Sequence, residues 1–119
     1  MPITMQHERD NIFRLELHGT LQKIDFHRSE EQLAAEMRRI GTVRLLFVLE
    51  KFDGWDVHAG WQDLSFYVKN GDSVDRIAIV GPERWRSEAL MFAAADLRRA
   101  AVEFFGEEAL ADARTWLSS

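Results

Sequence analysis

The run Val43-Arg44-Leu45-Leu46-Phe47-Val48-Leu49-Glu50 constrains the fold more than any other stretch of this chain. Six of its eight residues are large and apolar, with no clean alternation, the pattern of a strand buried on both faces. That predicts the centre of a parallel sheet covered by helices on either side. Directly after it, Lys51-Phe52-Asp53-Gly54-Trp55 changes the composition to lysine, acid, glycine and aromatic residues. In open α/β sheets, ligands and partners bind beyond the carboxyl ends of the strands, so the segment after Glu50 is the natural place for a site.

The flanking sequence supplies the rest of the sheet. Ile3, Met5 and His7 alternate with polar residues, as do Phe13, Leu15 and Leu17, which predicts two strands each with one apolar face. Arg9-Asp10-Asn11 between them carries turn residues, so the two strands form an antiparallel hairpin, and Gly19 is expected to end the second. A helix from Lys23 to Ile40 follows, with Phe26, Leu33, Met37 and Ile40 on one face and Gly41 as its stop. Strand, helix and the Val43 strand together make a right-handed crossover unit. Asp56 caps an expected second helix with the stripe Val57, Trp61, Leu64 and Val68, closed by Gly71. A strand from Val74 to Val80 leads through Gly81-Pro82 into a third helix over Glu83 to Asp96, with Trp85, Ala89, Phe92 and Ala93 toward the sheet. Val102 to Phe105 reads as a short edge strand, and Glu107 to Leu117 as a last helix packing Ala109 or Leu110, Ala113, Trp116 and Leu117. The expected fold is therefore α/β: one five-stranded mixed sheet, an N-terminal antiparallel hairpin followed by parallel strands, with four helices, in a single domain over residues 1–119.

Composition narrows the function. A net charge of −5 opposes attraction to phosphate backbones and anionic membranes, so nucleic acid is not an expected partner. With no cysteine, disulfides, thiolate metal sites and cysteine nucleophiles are excluded, and a reducing cytoplasm fits. No apolar run reaches the length of a membrane span, and the amino terminus lacks a basic segment followed by an apolar one, so no integral membrane association is expected.

The seven glycines never form a Gly-x-Gly arrangement, and no serine sits in a Gly-x-Ser-x-Gly elbow. Dinucleotide fingerprints, phosphate loops and the hydrolase nucleophile are thereby removed, and no cofactor is expected. His7, His18, His27 and His58 stand far apart, none at helical i, i+4 spacing, so a metal site would have to be assembled purely in space, and none is expected. What remains is one rim of the sheet. Glu50, Lys51, Phe52, Asp53, Gly54 and Trp55 follow the third strand, His58 and Trp61 open the next helix, and Glu83, Arg84 and Trp85 follow the fourth strand. Parallel neighbours place these segments at the same end. Glu50 and Asp53 can serve as an acid and base pair if burial splits their pKa values. Alternatively Glu50 pairs with Lys51 or Arg84, while Asp53 stabilises the Gly54 turn. Trp55, Trp61 and Trp85 either line a ligand pocket or belong to the core.

The order and spacing of several segments resemble the SpoIIAA-like family of the STAS superfamily, a group related to Sec14-type lipid-binding domains. The segments are Leu17-x-Gly19, Ile24-Asp25-Phe26, Leu45 to Glu50 followed by Phe52-Asp53-Gly54-Trp55, Trp61-x-Asp63-Leu64, Arg76 to Gly81 with Trp85, and Ala113-x-x-Trp116-Leu117. The resemblance implies a mixed sheet with helices. The anti-sigma antagonists of that superfamily switch by phosphorylation of a serine at the start of the helix after the third strand. Here Phe52 to His58 contains no serine or threonine, Ser65 lies too far along the helix and Ser73 is in the next loop, so no phosphosite carries over.

The leading expectation is a noncatalytic binding or regulatory module that presents the rim to a protein partner or a small apolar ligand. A carrier of an apolar, lipid-like ligand is the second reading, implied by the Sec14 relationship. An enzyme using Glu50 and Asp53 is the third. A homodimer is expected as well, because the C-terminal edge strand and the aromatic residues Phe66 and Tyr67 offer self-complementary surfaces.

Overall fold

A computed structural model describes residues 3–55, 74–92 and 101–119. Five strands form one sheet in sequence order: β1 (Ile3–Arg9), β2 (Ile12–Leu21), β3 (Val43–Trp55), β4 (Val74–Gly81) and β5 (Ala101–Gly106). β1 and β2 are antiparallel and all other neighbours are parallel, so the apolar Val43 run is the middle strand of a mixed sheet, as expected. Three α-helices occur among the described residues rather than four: α1 (Lys23–Ile40), α2 (Arg86–Phe92) and α3 (Leu110–Ser118). The helix expected after Asp56, with Val57, Trp61, Leu64 and Val68, lies outside the described residues.

The hairpin turns through Asp10 and Asn11, with Arg9 paired to Ile12. Asn11 then ties the hairpin to the start of β3: its side-chain amide donates to the Thr42 carbonyl at 2.9 Å, and the Arg44 N–H donates to the Asn11 carbonyl at 2.8 Å. In α1, Leu33 and Met37 are buried while Phe26 and Ile40 pack partly buried against the core, the face predicted by their spacing. Gly41, at φ 99°, ends the helix and donates its N–H to the Met37 carbonyl at 2.8 Å.

Both faces of the sheet are covered, which explains why β3 lacks alternation. Phe13, Leu15, Leu17, Val43, Leu45, Phe47, Leu49, Ile77 and Ile79 pack on one face with Leu33 and Met37 of α1 and Ala89 of α2. Ile12, Leu46, Ala78 and Val80 pack on the other with Ala113 and Leu117 of α3. Each fully buried aliphatic side chain of this kind contributes about 1.5–3 kcal/mol, so β3 is stabilised from both sides.

Two strand arginines fasten α3 to the second face. Arg44 donates to the Leu117 carbonyl and, at 3.1 Å, to that of Ser119, while Asp75 holds its guanidinium at 2.9 Å. Arg76 donates to the Trp116 carbonyl and to Ser119 Oγ, each at 2.6 Å, and stands 5.4 Å over the Trp116 ring. The last carbonyls of a helix have no partner within it and carry the negative end of its dipole, so cations there are favourable. Replacing Arg76 by alanine should lower stability by about 1.5–3 kcal/mol, the range for a hydrogen bond to a charged group. Urea unfolding checks this, and a midpoint equal to wild type would show that the clamp contributes nothing.

Four boundaries differ from expectation. β2 does not end at Gly19 but continues to the fully buried Leu21, with Gly19 at φ 62° in an irregular stretch of the pairing. β3 continues past Glu50 to Trp55. A 3-10 turn over Glu83–Trp85 precedes α2, because Pro82 is extended at ψ 140° and the Trp85 N–H closes on the Pro82 carbonyl at 3.0 Å. α3 starts at Leu110 rather than Glu107, since the Ala109 N–H first closes a turn on the Gly106 carbonyl at 2.9 Å. Ala113 and Leu117 are buried and Leu110 and Trp116 partly so, so the inward stripe is the expected one.

Candidate functional site at the carboxyl end of the central strands

The segment after Glu50 is an irregular continuation of β3, and its extra residues decide which side chains meet. Leu17 pairs with Leu49 and Gly19 with Phe52, so β3 uses three steps where β2 uses two. Thr20 then pairs with Gly54, which inserts another residue. A bulge of one residue shifts the alternation and re-aims every later side chain. Lys51, at φ 50°, absorbs the first insertion and Gly54, at φ 108°, follows the second. Phe52 therefore returns to the face that already holds Leu49, and Trp55 lies there beside Leu21.

Phe52, Trp55 and Trp85 form a mutual edge-to-face cluster. Ring centroids are 4.8 Å apart for Phe52 and Trp55, 5.4 Å for Phe52 and Trp85, and 6.0 Å for the two indoles, with interplanar angles of 75–80°. These separations suit the quadrupoles of the rings. The two predicted rim segments thus touch. A Cβ on Gly54 would stand 3.2 Å from Trp85 Cη2, so the glycine lets the Trp85 ring lie against the β3 backbone. The Trp85 Nε1 atom is buried and donates to no acceptor among the described residues, a costly condition for an indole N–H.

Charged residues surround this cluster unevenly. The Arg84 guanidinium stands 5.2 Å over the Trp85 ring, and no carboxylate among the described residues pairs with it. Glu83 is taken by Arg86 instead, at 2.5 and 3.1 Å. Those hydrogen bonds, more than the charge of Arg86, hold the Glu83 carboxyl below the usual glutamate range, against a smaller desolvation effect. A group lowered in the folded state adds stability above its unfolded pKa and loses it as pH falls through the folded value. The Glu83 carboxyl carbon should therefore titrate below an ordinary glutamate in NMR. A midpoint at the ordinary value would show that the pair does not persist in solution.

Glu50 leaves the rim. It points to the second face, where it stands near Glu16 and His18 with ligand atoms within 4.8 Å of one another. Among the described residues it pairs with neither Lys51 nor Arg84. Lys51 and Asp53 are exposed in the irregular stretch, and His58 and Trp61 lie outside the described residues. Of the predicted rim, Phe52, Gly54, Trp55, Arg84 and Trp85 come together. Glu16 and His18 were not foreseen, because only the register between β2 and β3 brings them to Glu50.

Among the segments on which the sequence resemblance rests, Leu17-x-Gly19 lies in β2, Ile24-Asp25-Phe26 in α1, Leu45 to Trp55 in β3 and its rim, and Arg76 to Gly81 in β4. The profile of the SpoIIAA-like family matches residues 12–118. The chain belongs to the SpoIIAA-like family. A solved structure extends the comparison: an uncharacterised DUF3478-family protein with a SpoIIAA-like fold from Shewanella loihica PV-4 superposes with a TM-score of 0.73 at 26% identity, covering 97% of this chain and 91% of that chain. The search of curated proteins finds no match. In this SpoIIAA-like chain β3 and the rim lie inside the matched span, while all of β1 precedes it. No helix among the described residues is long and apolar enough to cross a membrane.

Proposed function

We propose that this SpoIIAA-like chain is a noncatalytic, cytoplasmic binding or regulatory module whose partner is a protein that docks on the Phe52, Trp55, Trp85 and Arg84 rim. The observation that carries this reading is the pairing of Arg84, which no carboxylate among the described residues engages, with a half-buried tryptophan cluster at the carboxyl end of the central strands. Tryptophan and arginine dominate the energetics of protein interfaces, and this end of an α/β sheet is where binding is expected. Arg84 is exposed, so its removal leaves the core untouched. Affinity purification from the native host should recover a partner with the wild-type chain and lose it with Arg84→Ala, while Glu31→Ala on α1 retains it. Equal recovery by both variants would sink the proposal.

The buried Trp85 N–H favours a second reading, the apolar-ligand carrier. A carbonyl or carboxylate on a lipid-like ligand would supply an acceptor that the described residues do not offer this donor. Under that reading, native mass spectrometry finds an extractable extra mass on the wild-type chain, and Trp85→Phe, which keeps a ring but not the N–H, loses it. A bare polypeptide mass would count against the carrier. An enzyme using Glu50 and Asp53 is a weaker third reading, since Glu50 sits with Glu16 and His18 instead.

The module is also proposed to self-associate. β5 is an edge strand of six residues, and an unpaired edge offers a symmetric route to a dimer. Light scattering across a dilution series should give twice the 13.8 kDa chain mass; a concentration-independent monomer would refute the dimer.

A further inference from the structure

Glu16 and His18 are two residues apart on β2, so their side chains share a face of the sheet. Glu16 pairs with Val48 and Leu17 with Leu49 in the parallel register of β2 and β3, which sets Glu50 beside His18 on that same face. We propose that these three side chains bind a divalent first-row transition ion. One ligand atom from each lies within 4.8 Å of the other two. His18 Nε2 and Glu16 Oε2 are 3.4 Å apart, and two donors of a tetrahedral zinc ion with bonds near 2.1 Å stand about 3.4 Å from each other.

Arg14 Nε stands 2.9 Å from Glu16 Oε1 as an ion pair without hydrogen-bond geometry, while the other carboxylate oxygen faces His18. Arg14 also faces Glu8 at 3.6 Å, which Arg114 holds at 2.7 Å, so the charge of Arg14 is shared between Glu8 and Glu16. Within the triad two carboxylates converge on one imidazole, and Arg14, shared with Glu8, offsets only part of their repulsion, which a bound cation relieves further. An ordinary ion pair between His18 and Glu16 accounts for the 3.4 Å contact but gives the third carboxylate no part. One imidazole nitrogen and two carboxylate oxygens suit zinc, manganese or ferrous iron. Glu50 is exposed and the other two are partly buried, so an ion can enter from solvent, and three protein donors leave a position for water.

Zinc is the probe, titrated into metal-stripped chain by calorimetry, with manganese-induced line broadening in NMR to locate the ion. One equivalent should bind, with broadening centred on Glu16, His18 and Glu50. Glu50→Gln, at an exposed position, should keep the fold and weaken zinc at least about tenfold, as should His18→Ala, by the loss typical of disturbed metal sites. Glu103→Gln, on β5, should bind like wild type. Absence of saturable binding, broadening spread over the acidic surface, or wild-type affinity in Glu50→Gln would each overturn the site and leave an ordinary ion pair.

Discussion

Replacing Phe52 by alanine should lower folding stability by about 3–5 kcal/mol, the cost of deleting a buried phenylalanine. The residue is 2% exposed and touches both indoles of the rim edge-on. Its removal takes away the buried area, leaves a cavity beneath Trp55 and Trp85, and deletes two ring contacts worth about 0.5–1.5 kcal/mol each beyond area. Urea unfolding followed by tryptophan fluorescence reads both effects, since the indoles report the packing they lose. The midpoint should fall sharply at an unchanged slope. A shift below about 1 kcal/mol would mean that Phe52 is a surface residue, and that the bulge at Lys51 does not turn it inward.

Gly81→Ala should be comparably damaging although it adds a single methyl group. A Cβ at this position would lie 2.8 Å from Leu49 Cβ and 2.9 Å from its Cδ1. The first of these atoms is fixed by the β3 backbone, so no rotamer change relieves the contact. Overpacking of this kind costs about 1–3 kcal/mol and occasionally more, and here the strain falls between the two central strands. Leu49→Ala alone should cost about 2–5 kcal/mol. In the double variant Leu49 Cβ remains but its branch is gone, so part of the overpacking is relieved. Chemical unfolding of the cycle should therefore show a total loss smaller than the sum of the single losses. Strict additivity would show that Gly81 and Leu49 do not meet.

The sheet was legible in the sequence wherever one periodicity dominated. Alternation in β1 and β2, the unbroken apolar run of β3 and the 3.6-residue stripe of α1 correspond to faces that are buried. Legibility failed where one residue changes the phase. Glu50 and Phe52 read as neighbours on one loop, yet the insertion at Lys51 sends them to opposite faces of the sheet. Gly19 read as a terminator, whereas Leu21 draws the strand on because its burial outweighs the break. The Glu16, His18 and Glu50 grouping depends on inter-strand register, which hydrophobic pattern constrains for apolar faces and leaves open for polar ones. The roles of Arg44 and Arg76 were not legible, because their partners, the carbonyls of α3, come from the far end of the chain.

The aromatic rim is proposed as the surface this SpoIIAA-like module uses. The most direct test places a photo-crosslinking amino acid at position 84 and, separately, at position 31 on α1, followed by irradiation in the native host. A discrete crosslinked species is expected from position 84, absent from position 31 and diminished when Trp85 is changed to phenylalanine or alanine. Equal crosslinking from both positions, or none from position 84 while the chain is folded and abundant, would contradict it.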